Sequence, residues 1–217
     1  MKSLALIKRR PDLSRDAFRD HYEDTHAPLA IATVLDGTTR YVRSHLREVL
    51  YGEPAFDVVT AFWYADLEAA LEVGRRLESP VGEAILADEL TFMDKPANRV
   101  LPVSEHPVLG DESAPADLRA VALAGAPAGE AGEDFVARYE ADWLPRLQAG
   151  LRAPRWCLQN RGLALGPEPP VFDAVTQLHA DGDAGLADWA AALSAEGARV
   201  VVARVEERES PLPTSLE

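Results

Sequence analysis

The chain has 217 residues, 47% of them hydrophobic and 27% charged, a balance that excludes a disordered, collagen-like or disulfide-stapled protein. Its formal net charge of −14 disfavours generic binding to nucleic acid or to an anionic membrane. The single cysteine, Cys157, excludes an intrachain disulfide and a cysteine-based zinc site. Because the apolar start Leu4–Ile7 is too short for a signal or membrane segment, we predict a cytoplasmic chain that does not bind a membrane.

The first half of the chain shows alternating signals for strands and helices. Leu4–Ile7 is a short apolar strand, and Ser14 is suited to cap the helix that follows. The remaining predicted elements are strands at 40–49 and 56–64, a helix that Asp66 caps, and a strand at 99–103. The order of elements in this half is therefore β-α-β-β-α-β.

Short residue matches recur between the two halves at a nearly constant spacing. The matched residues, at offsets of 115 to 117, are Phe18 with Phe135, Tyr22 with Tyr139, Glu23 with Glu140, Arg40-Tyr41 with Arg155-Trp156, and Phe56-Asp57 with Phe172-Asp173. Because so constant a spacing is hard to obtain by chance, we predict that the chain contains two copies of one structural unit. Residues 79–94 have no counterpart in the second half, and a Pro- and acid-containing stretch at 106–117 is the predicted linker.

The predicted fold class is α+β, with two tandem ferredoxin-like βαββαβ units. The N-terminal unit covers residues 1–112 and the C-terminal unit residues 113–217. In the second unit, the predicted elements cover 118–123, 134–151, 155–163, 171–179, 186–193 and 199–206. A four-stranded antiparallel sheet with two helices on one face leaves its other face bare. We therefore expect the two sheets to pack face to face as an intrachain α/β barrel, a pseudo-dimer within one chain, with further homo-oligomers left open.

His26 is the leading candidate for proton transfer. Phe18, Tyr22 and His26 follow one another at spacings of four, so they share a helix face towards the sheet, whereas Glu23 is predicted on the solvated face. A histidine can give or take a proton near neutral pH, and Tyr22 could assist it by hydrogen bonding. The alternative is structural: His26 bonds backbone loosened by Pro28, and Tyr22 packs against the sheet.

The strands supply further candidates for ligand contacts. Arg43 and His45 alternate onto one strand face, where Arg43 could hold a carboxylate or phenolate and His45 could act as a second base. Trp63 and Tyr64 would suit stacking on an aromatic ligand. The alternative for all four is an ordinary half-exposed strand or a core position.

Motifs for metals and nucleotide cofactors are absent from the sequence. His21 and His26 are five residues apart, which places them on different faces of an α-helix, and there is no H-E-x-x-H pattern. Neither a G-x-G-x-x-G fingerprint nor a P-loop lysine occurs. We therefore predict no metal and no cofactor.

The first half also resembles the EthD family of dimeric α/β-barrel proteins. The resemblance rests on Lys8-Arg9-Arg10-Pro11-Asp12-Leu13-Ser14, on Phe18, and on Thr25-His26-Ala27-Pro28-Leu29. The second half fits only through Phe135, Tyr139, Glu140 and Pro145, and has Trp143 where the first half has His26. Such families usually build the barrel from two subunits, whereas the repeat predicts both halves in one chain.

The resemblance implies a broad range of activities. EthD-type and related proteins include cofactor-free monooxygenases, anthrone-type oxygenases, and cyclases, dehydratases or decarboxylases of polyketide intermediates. The expected function is therefore a small-molecule enzyme, an oxidoreductase or a lyase or cyclase, that acts on an aromatic or polyketide-like substrate with His26 as general acid/base. Two alternatives remain: a non-catalytic binding or accessory protein, and a haem-binding protein with an axial histidine.

Overall fold

The computed structural model describes residues 1–163, 170–183 and 185–212. Two compact units divide the chain: the first, unit 1, holds Met1–His45, Ala55–Val100 and Glu207–Glu217, and the second, unit 2, holds Leu46–Pro54 and Leu101–Glu206. The predicted α+β class is confirmed, because antiparallel strands and helices make up both units. The division into tandem copies at residue 112, and their packing as a barrel, stay predictions.

Ten elements cover the first half of the chain. In order they are β1 (Lys2–Ile7), α1 (Arg15–His21), a π-helical turn (Tyr22–His26), α2 (Ala27–Thr33), β2 (Thr38–Tyr51), β3 (Val58–Tyr64), α3 (Leu67–Leu77), α4 (Glu83–Phe92), a 3-10 helix (Lys95–Ala97) and β4 (Arg99–Gly110). Helix α4 lies in the stretch that has no counterpart in the second half. Since β4 runs to Gly110, the linker predicted to start at residue 106 starts only after that strand.

Eight elements cover the described residues of the second half. In order they are β5 (Leu118–Gly125), α5 (Gly132–Arg138), a π-helical turn (Tyr139–Trp143), α6 (Leu144–Gly150), β6 (Pro154–Gly162), β7 (Ala174–Ala180), α7 (Leu186–Ala195) and β8 (Arg199–Glu209). The predicted order of strands and helices is thus observed. Among the helices of the described ranges, none has the length and apolar character that crossing a bilayer requires.

The sheet of unit 1 positions the residues of interest around Thr60. Strand β3 lies between β1 and β2, and both pairings are antiparallel. Thr60 is opposite Ala5 on one side and Arg43 on the other. Helices α1 and α3 begin where the sequence predicts, because Ser14 accepts a hydrogen bond from the backbone N–H of Ala17, and Asp66 accepts one from that of Ala69.

The sheet of unit 2 corrects one predicted match. Strand β5 lies between β8 and β7, and β6 lies between β7 and β4. Tyr41 is opposite Phe62, and Cys157 is opposite Leu178, so Cys157 rather than Trp156 corresponds to Tyr41. Both strands carry the same register shift near their starts, so corresponding residues are 116 apart here, whereas the sequence match was made at an offset of 115.

A π-helical turn interrupts each of the two long helices. The backbone N–H of Ala27 bonds the carbonyl of Tyr22, five residues earlier, so the turn holds one residue more than an α-helix needs. Pro28 follows in the first turn of α2, where its missing N–H costs little. The extra residue rotates Glu23 inward, so the prediction that Glu23 is solvated is wrong: its side chain is only 18% exposed.

Candidate functional site

A mainly apolar cavity of about 330 Å³ lies in unit 1. Its volume is at the lower end of the range of about 300–1,000 Å³ that is usual for small-molecule sites. Aliphatic residues form most of the wall, and the aromatic and titratable residues in it are Tyr22, His26, Tyr41, Phe62, Tyr64, Glu89, Lys95 and Arg99. The cavity therefore suits a compact ligand with an apolar body and a few polar atoms.

His26 forms part of the cavity wall and is held by a carboxylate. Its Nδ1 lies 2.8 Å from Oδ2 of Asp88, on α4, and its side chain is 6% exposed. Because a carboxylate accepts, Nδ1 carries the ring proton and Nε2 keeps a lone pair. Burial lowers the pKa of His26, although the hydrogen bond to Asp88 and the charge of Glu89 oppose that effect. The imidazole is therefore neutral near pH 7 and able to take a proton at Nε2.

The carboxylate of Asp88 bridges two histidines. Its Oδ1 lies 2.8 Å from Nε2 of His21, while Oδ2 holds His26. The prediction that His21 and His26 lie on different faces is wrong, because residues five apart share a face in the π-helical turn. Within the described ranges, no group of three or more histidine, cysteine or acidic side chains has the arrangement that a metal ion needs.

Tyr22 lies next to His26, with ring centroids 5.0 Å apart and planes at 75°. Its hydroxyl is 3.0 Å from Oγ1 of Thr60. Burial raises the pKa of Tyr22 to about 12 and that of Tyr41 well above its ordinary value. Both phenols are therefore neutral at physiological pH and can donate hydrogen bonds.

Arg43 and His45 do not line the cavity but hold Glu23 behind it. Glu23 accepts from Arg43 Nη2 at 2.5 Å and lies 2.6 Å from His45 Nε2. Burial acts to raise the pKa of Glu23, but the hydrogen bonds from His45 and Arg43 outweigh it and lower that pKa to about 2. The His45 ring lies 5.5 Å from that of Tyr22, so this charged cluster packs behind the tyrosine.

Trp63 and Tyr64 lie on opposite faces of β3, since neighbouring strand residues alternate. Tyr64 is in the cavity wall and its hydroxyl is 3.2 Å from that of Ser3. Trp63 is outside the wall, where the Lys2 ammonium and the Arg40 guanidinium lie 4.3 and 4.7 Å from its ring centroid. Of this pair, only Tyr64 can contact a ligand in the cavity.

Sequence reasoning missed Asp88, which lies 62 residues beyond the histidine that it holds. Helix α4 carries no catalytic motif, so nothing in its own sequence marks Asp88. One signal was available: both His26 and the stretch that contains α4 occur only in the first half of the chain. Two features that are absent together from one half are candidates for a shared role.

Unit 2 keeps the tyrosine but not the histidine. Tyr139 lies 2.8 Å from Thr176, as Tyr22 does from Thr60, but Trp143 occupies the position of His26 and its backbone carbonyl accepts from the Trp189 indole. A larger groove of about 680 Å³ in unit 2 has no histidine, tyrosine or cysteine among its described lining residues. Among the described lining residues of these two pockets, the histidine is therefore His26, in the cavity of unit 1.

Comparison with known families supports the resemblance seen in the first half. Residues 10–96 match the model of the EthD domain, so the predicted resemblance is confirmed over these residues. The matched segment contains His21, His26 and Asp88. No curated protein matches the chain.

Solved structures share the fold across almost the whole chain. An anthrone oxidase-like protein aligns with a TM-score of 0.62 at 12% identity, over 99% of this chain and 96% of its own. A candidate monooxygenase from Fusobacterium nucleatum subsp. nucleatum aligns at 0.53 and 10% identity, over 98% and 95% of the two chains. Another candidate monooxygenase, from Lactobacillus acidophilus NCFM, aligns at 0.51 and 8% identity, over 96% and 94%. At these identities the likeness shows the fold alone.

Proposed function

We propose that this protein is a small-molecule enzyme that removes a proton from an aromatic or polyketide-like substrate and directs the resulting anion to oxygen. The observation that carries the proposal is the neutral His26, with Nδ1 on Asp88 and its ring in the wall of an apolar cavity. The structural likeness to an anthrone oxidase-like protein and to candidate monooxygenases supports this chemistry.

His26 acts as the general base. Its Nε2 takes a proton from a carbon that a conjugated carbonyl makes acidic, and Asp88 stabilises the imidazolium that forms. Tyr22 and Tyr41, as neutral phenols, stabilise the oxygen on which the negative charge develops. The apolar wall, which includes Tyr64, holds the rings of the substrate.

The electrons that reduce oxygen come from the substrate, so the proposal needs no bound cofactor. For anthrone, loss of one C–H proton gives an enolate, and transfer of its electrons to O₂ with return of the proton gives a hydroperoxide. Loss of the remaining hydrogen on that carbon, with cleavage of the O–O bond, then gives anthraquinone and water. The same base could start a cyclisation or dehydration through an enolate, if the substrate carries a second carbonyl or a leaving hydroxyl instead.

A non-catalytic binding protein is the second candidate function. The cavity and its tyrosines are equally suited to a binding protein and to an enzyme. The His26–Asp88 pair favours the enzyme, because ligand binding alone does not need a base of fixed tautomer. Proton transfer therefore separates the two functions.

The test is anthrone oxidation by the wild type and by His26→Ala, followed as anthraquinone absorbance and oxygen uptake. General acid/base catalysis typically contributes 10²–10⁴-fold, so we expect a rate loss of about that size while the melting temperature changes by only a few degrees. His106→Ala in unit 2 is the matched control and should keep full activity. Equal rates in His26→Ala and the wild type, with a clearly lower melting temperature, would show that His26 is structural.

A further inference from the structure

The cavity of unit 1 contains one cation that no carboxylate of the described residues balances. The charged side chains in its wall, the histidine aside, are Glu89, Lys95 and Arg99. The Lys95 ammonium donates to Oε2 of Glu89, so these two charges cancel. Arg99 forms no ion pair within the described ranges and contacts only backbone carbonyls there. The wall therefore has one positive charge in excess, in a chain whose formal net charge is −14.

The Arg99 guanidinium is held along one side only. Its Nη1 donates to the carbonyl oxygens of Pro96 and Asn98, both at 2.7 Å. Since Nη1 carries two hydrogens, these two bonds use it fully. In the part of the chain that the structure describes, Nε and Nη2 of Arg99 have no acceptor. The backbone bonds therefore fix the guanidinium and leave the edge formed by Nε and Nη2 for a ligand.

The same edge binds carboxylates elsewhere in this chain. Arg40 uses Nε and Nη2 to bind the two carboxylate oxygens of Glu209, each at 3.0 Å. Arg43 binds Glu23 in the same way, at 3.1 and 2.5 Å. Two parallel N–H groups match the spacing of two carboxylate oxygens, so this edge favours a carboxylate over a single oxygen atom. Arg99 therefore offers the part of a guanidinium that a carboxylate fits best.

The groove of unit 2 provides a contrast. Arg161 is in the wall of that groove, but its Nε and Nη2 bind Glu140 at 2.6 and 2.5 Å. Glu140 belongs to the same wall, so the carboxylate-binding edge of Arg161 is already occupied by the protein. Of these two arginines, Arg99 is the one that can bind a carboxylate from a ligand.

Arg99 lies where the cavity of unit 1 meets solvent. Arg99 and Val100 are in the wall and yet exposed, whereas His26, in the same wall, is buried. A carboxylate bound at Arg99 would thus keep contact with water, while the aromatic body of the ligand lies among the apolar residues. Because burying a charge without compensation is costly, the cavity can accept an anionic ligand at this end.

We propose that Arg99 binds a carboxylate of the substrate through Nε and Nη2 and so makes the enzyme selective for aromatic acids. The inference rests on the proposed function, since it concerns the same cavity. It narrows the substrate class to aromatic molecules that carry a carboxylate besides the acidic C–H group at which His26 acts. Arg99 also takes the role that the sequence predicted for Arg43, because Arg43 binds Glu23 instead.

Affinity for 2-naphthoate relative to 2-naphthol, measured by calorimetry at pH 7, tests the inference without any catalysis. The first ligand carries a carboxylate, and the second is a neutral aromatic molecule of similar size. We expect the wild type to prefer 2-naphthoate by about threefold to thirtyfold, between the effect of an exposed ion pair and that of a charge-assisted hydrogen bond. Arg99→Gln should abolish this preference and keep the affinity for 2-naphthol, because the apolar wall is unchanged.

Arg75→Gln is the matched control. Arg75 is an exposed arginine of α3 that pairs with Glu68 and Glu72 and is absent from the described lining of the cavity. Its substitution removes the same charge and should leave the preference for 2-naphthoate as in the wild type. Raising the ionic strength should reduce the preference in the wild type, because salt screens an ion pair at the mouth of the cavity.

The outcomes separate this inference from the proposed function. A wild type that binds both ligands without preference, or a preference that survives in Arg99→Gln, overturns the role of Arg99 and leaves the proposed function intact. An equal loss of both affinities in Arg99→Gln would show that Arg99 only supports the wall, and would overturn the inference as well. Failure of both ligands to bind the wild type overturns the proposed aromatic site, and this inference with it.

Discussion

Replacing Asp88 with asparagine tests the central pair of the site at nearly constant size. The carboxylate accepts hydrogen bonds from two histidine nitrogens, each at 2.8 Å, one from His21 and one from His26. An amide has one acceptor oxygen and one donor nitrogen, so it cannot accept from both. In one arrangement, Nδ1 of His26 accepts a hydrogen bond from the amide NH₂, so the ring proton moves to Nε2. In the other, Nδ1 still donates to the amide oxygen, but the negative charge that stabilises the imidazolium is absent.

Both arrangements remove base strength, so we expect a rate loss of about 10²–10⁴-fold in anthrone oxidation. Exchanging two charge-assisted hydrogen bonds for neutral ones should cost about 1–3 kcal/mol, and for a chain of this length that is a fall in melting temperature of about 2–12 °C. Because Asp88 raises the pKa of His26 against the effect of burial, the acid limb of residual activity should move to still lower pH.

The assay compares kcat, melting temperature and the pH profile of Asp88→Asn with those of Asp20→Asn. Asp20 is an exposed carboxylate that pairs with Arg19, so its substitution removes the same charge away from the cavity. We expect Asp20→Asn to behave as the wild type in all three measurements. An Asp88→Asn variant with full kcat and a lowered melting temperature would refute this reasoning and show that Asp88 has only a structural role.

Three further predictions concern stability and binding. The pKa of Glu23 is about 2, below its ordinary value of 4.5, so the ionised carboxylate adds about 3 kcal/mol to the free energy of unfolding above pH 4.5. This stabilisation is lost as the pH falls towards 2, and urea unfolding should show the loss in the wild type but not in Glu23→Gln. Tyr64→Leu should weaken 2-naphthol binding in calorimetry, whereas Trp63→Leu should not, because Trp63 lies outside the cavity wall; equal losses would contradict this placement. Gly110→Ala should lower the melting temperature by several degrees, because the φ of Gly110 is +71° and a Cβ there would lie 1.8 Å from a backbone carbonyl oxygen. Gly74→Ala should not lower it, because a Cβ at Gly74 would meet no atom within 4 Å.

The order of elements followed from the sequence because each one has a local cause. The β-branched and aromatic run of β3 predicts a strand, and Ser14 and Asp66 predict helix starts that the structure confirms. The exact pairing of β2 and β6 with their neighbouring strands could not be predicted in this way. It depends on hydrogen bonds to another strand, and matching the two aromatic residues Tyr41 and Trp156 is wrong by one residue, because Cys157 is the counterpart of Tyr41.

The site was predictable only where regular helix periodicity held. That periodicity placed Phe18, Tyr22 and His26 on one inward face, and all three are buried. It failed for Glu23 and His21, because it assumes 3.6 residues per turn and the π-helical turn departs from that value. Asp88 could not be predicted from a local pattern, since its role depends on α4 packing against a distant helix; the sequence showed only that the stretch with α4 and His26 are both confined to the first half.

The π-helical turn at Tyr22–His26 is matched to the spacing of the two histidines. In an uninterrupted α-helix, where each residue turns by about 100°, residues five apart would point about 140° away from each other. The extra residue of the turn brings His21 and His26 to the same carboxylate. Deleting one residue between 22 and 26 would allow α1 and α2 to join as a regular α-helix and would leave the two histidines four apart, a spacing that also shares a face. The extra residue and the five-residue spacing could therefore be lost together in a single-codon deletion while the histidine pair is kept.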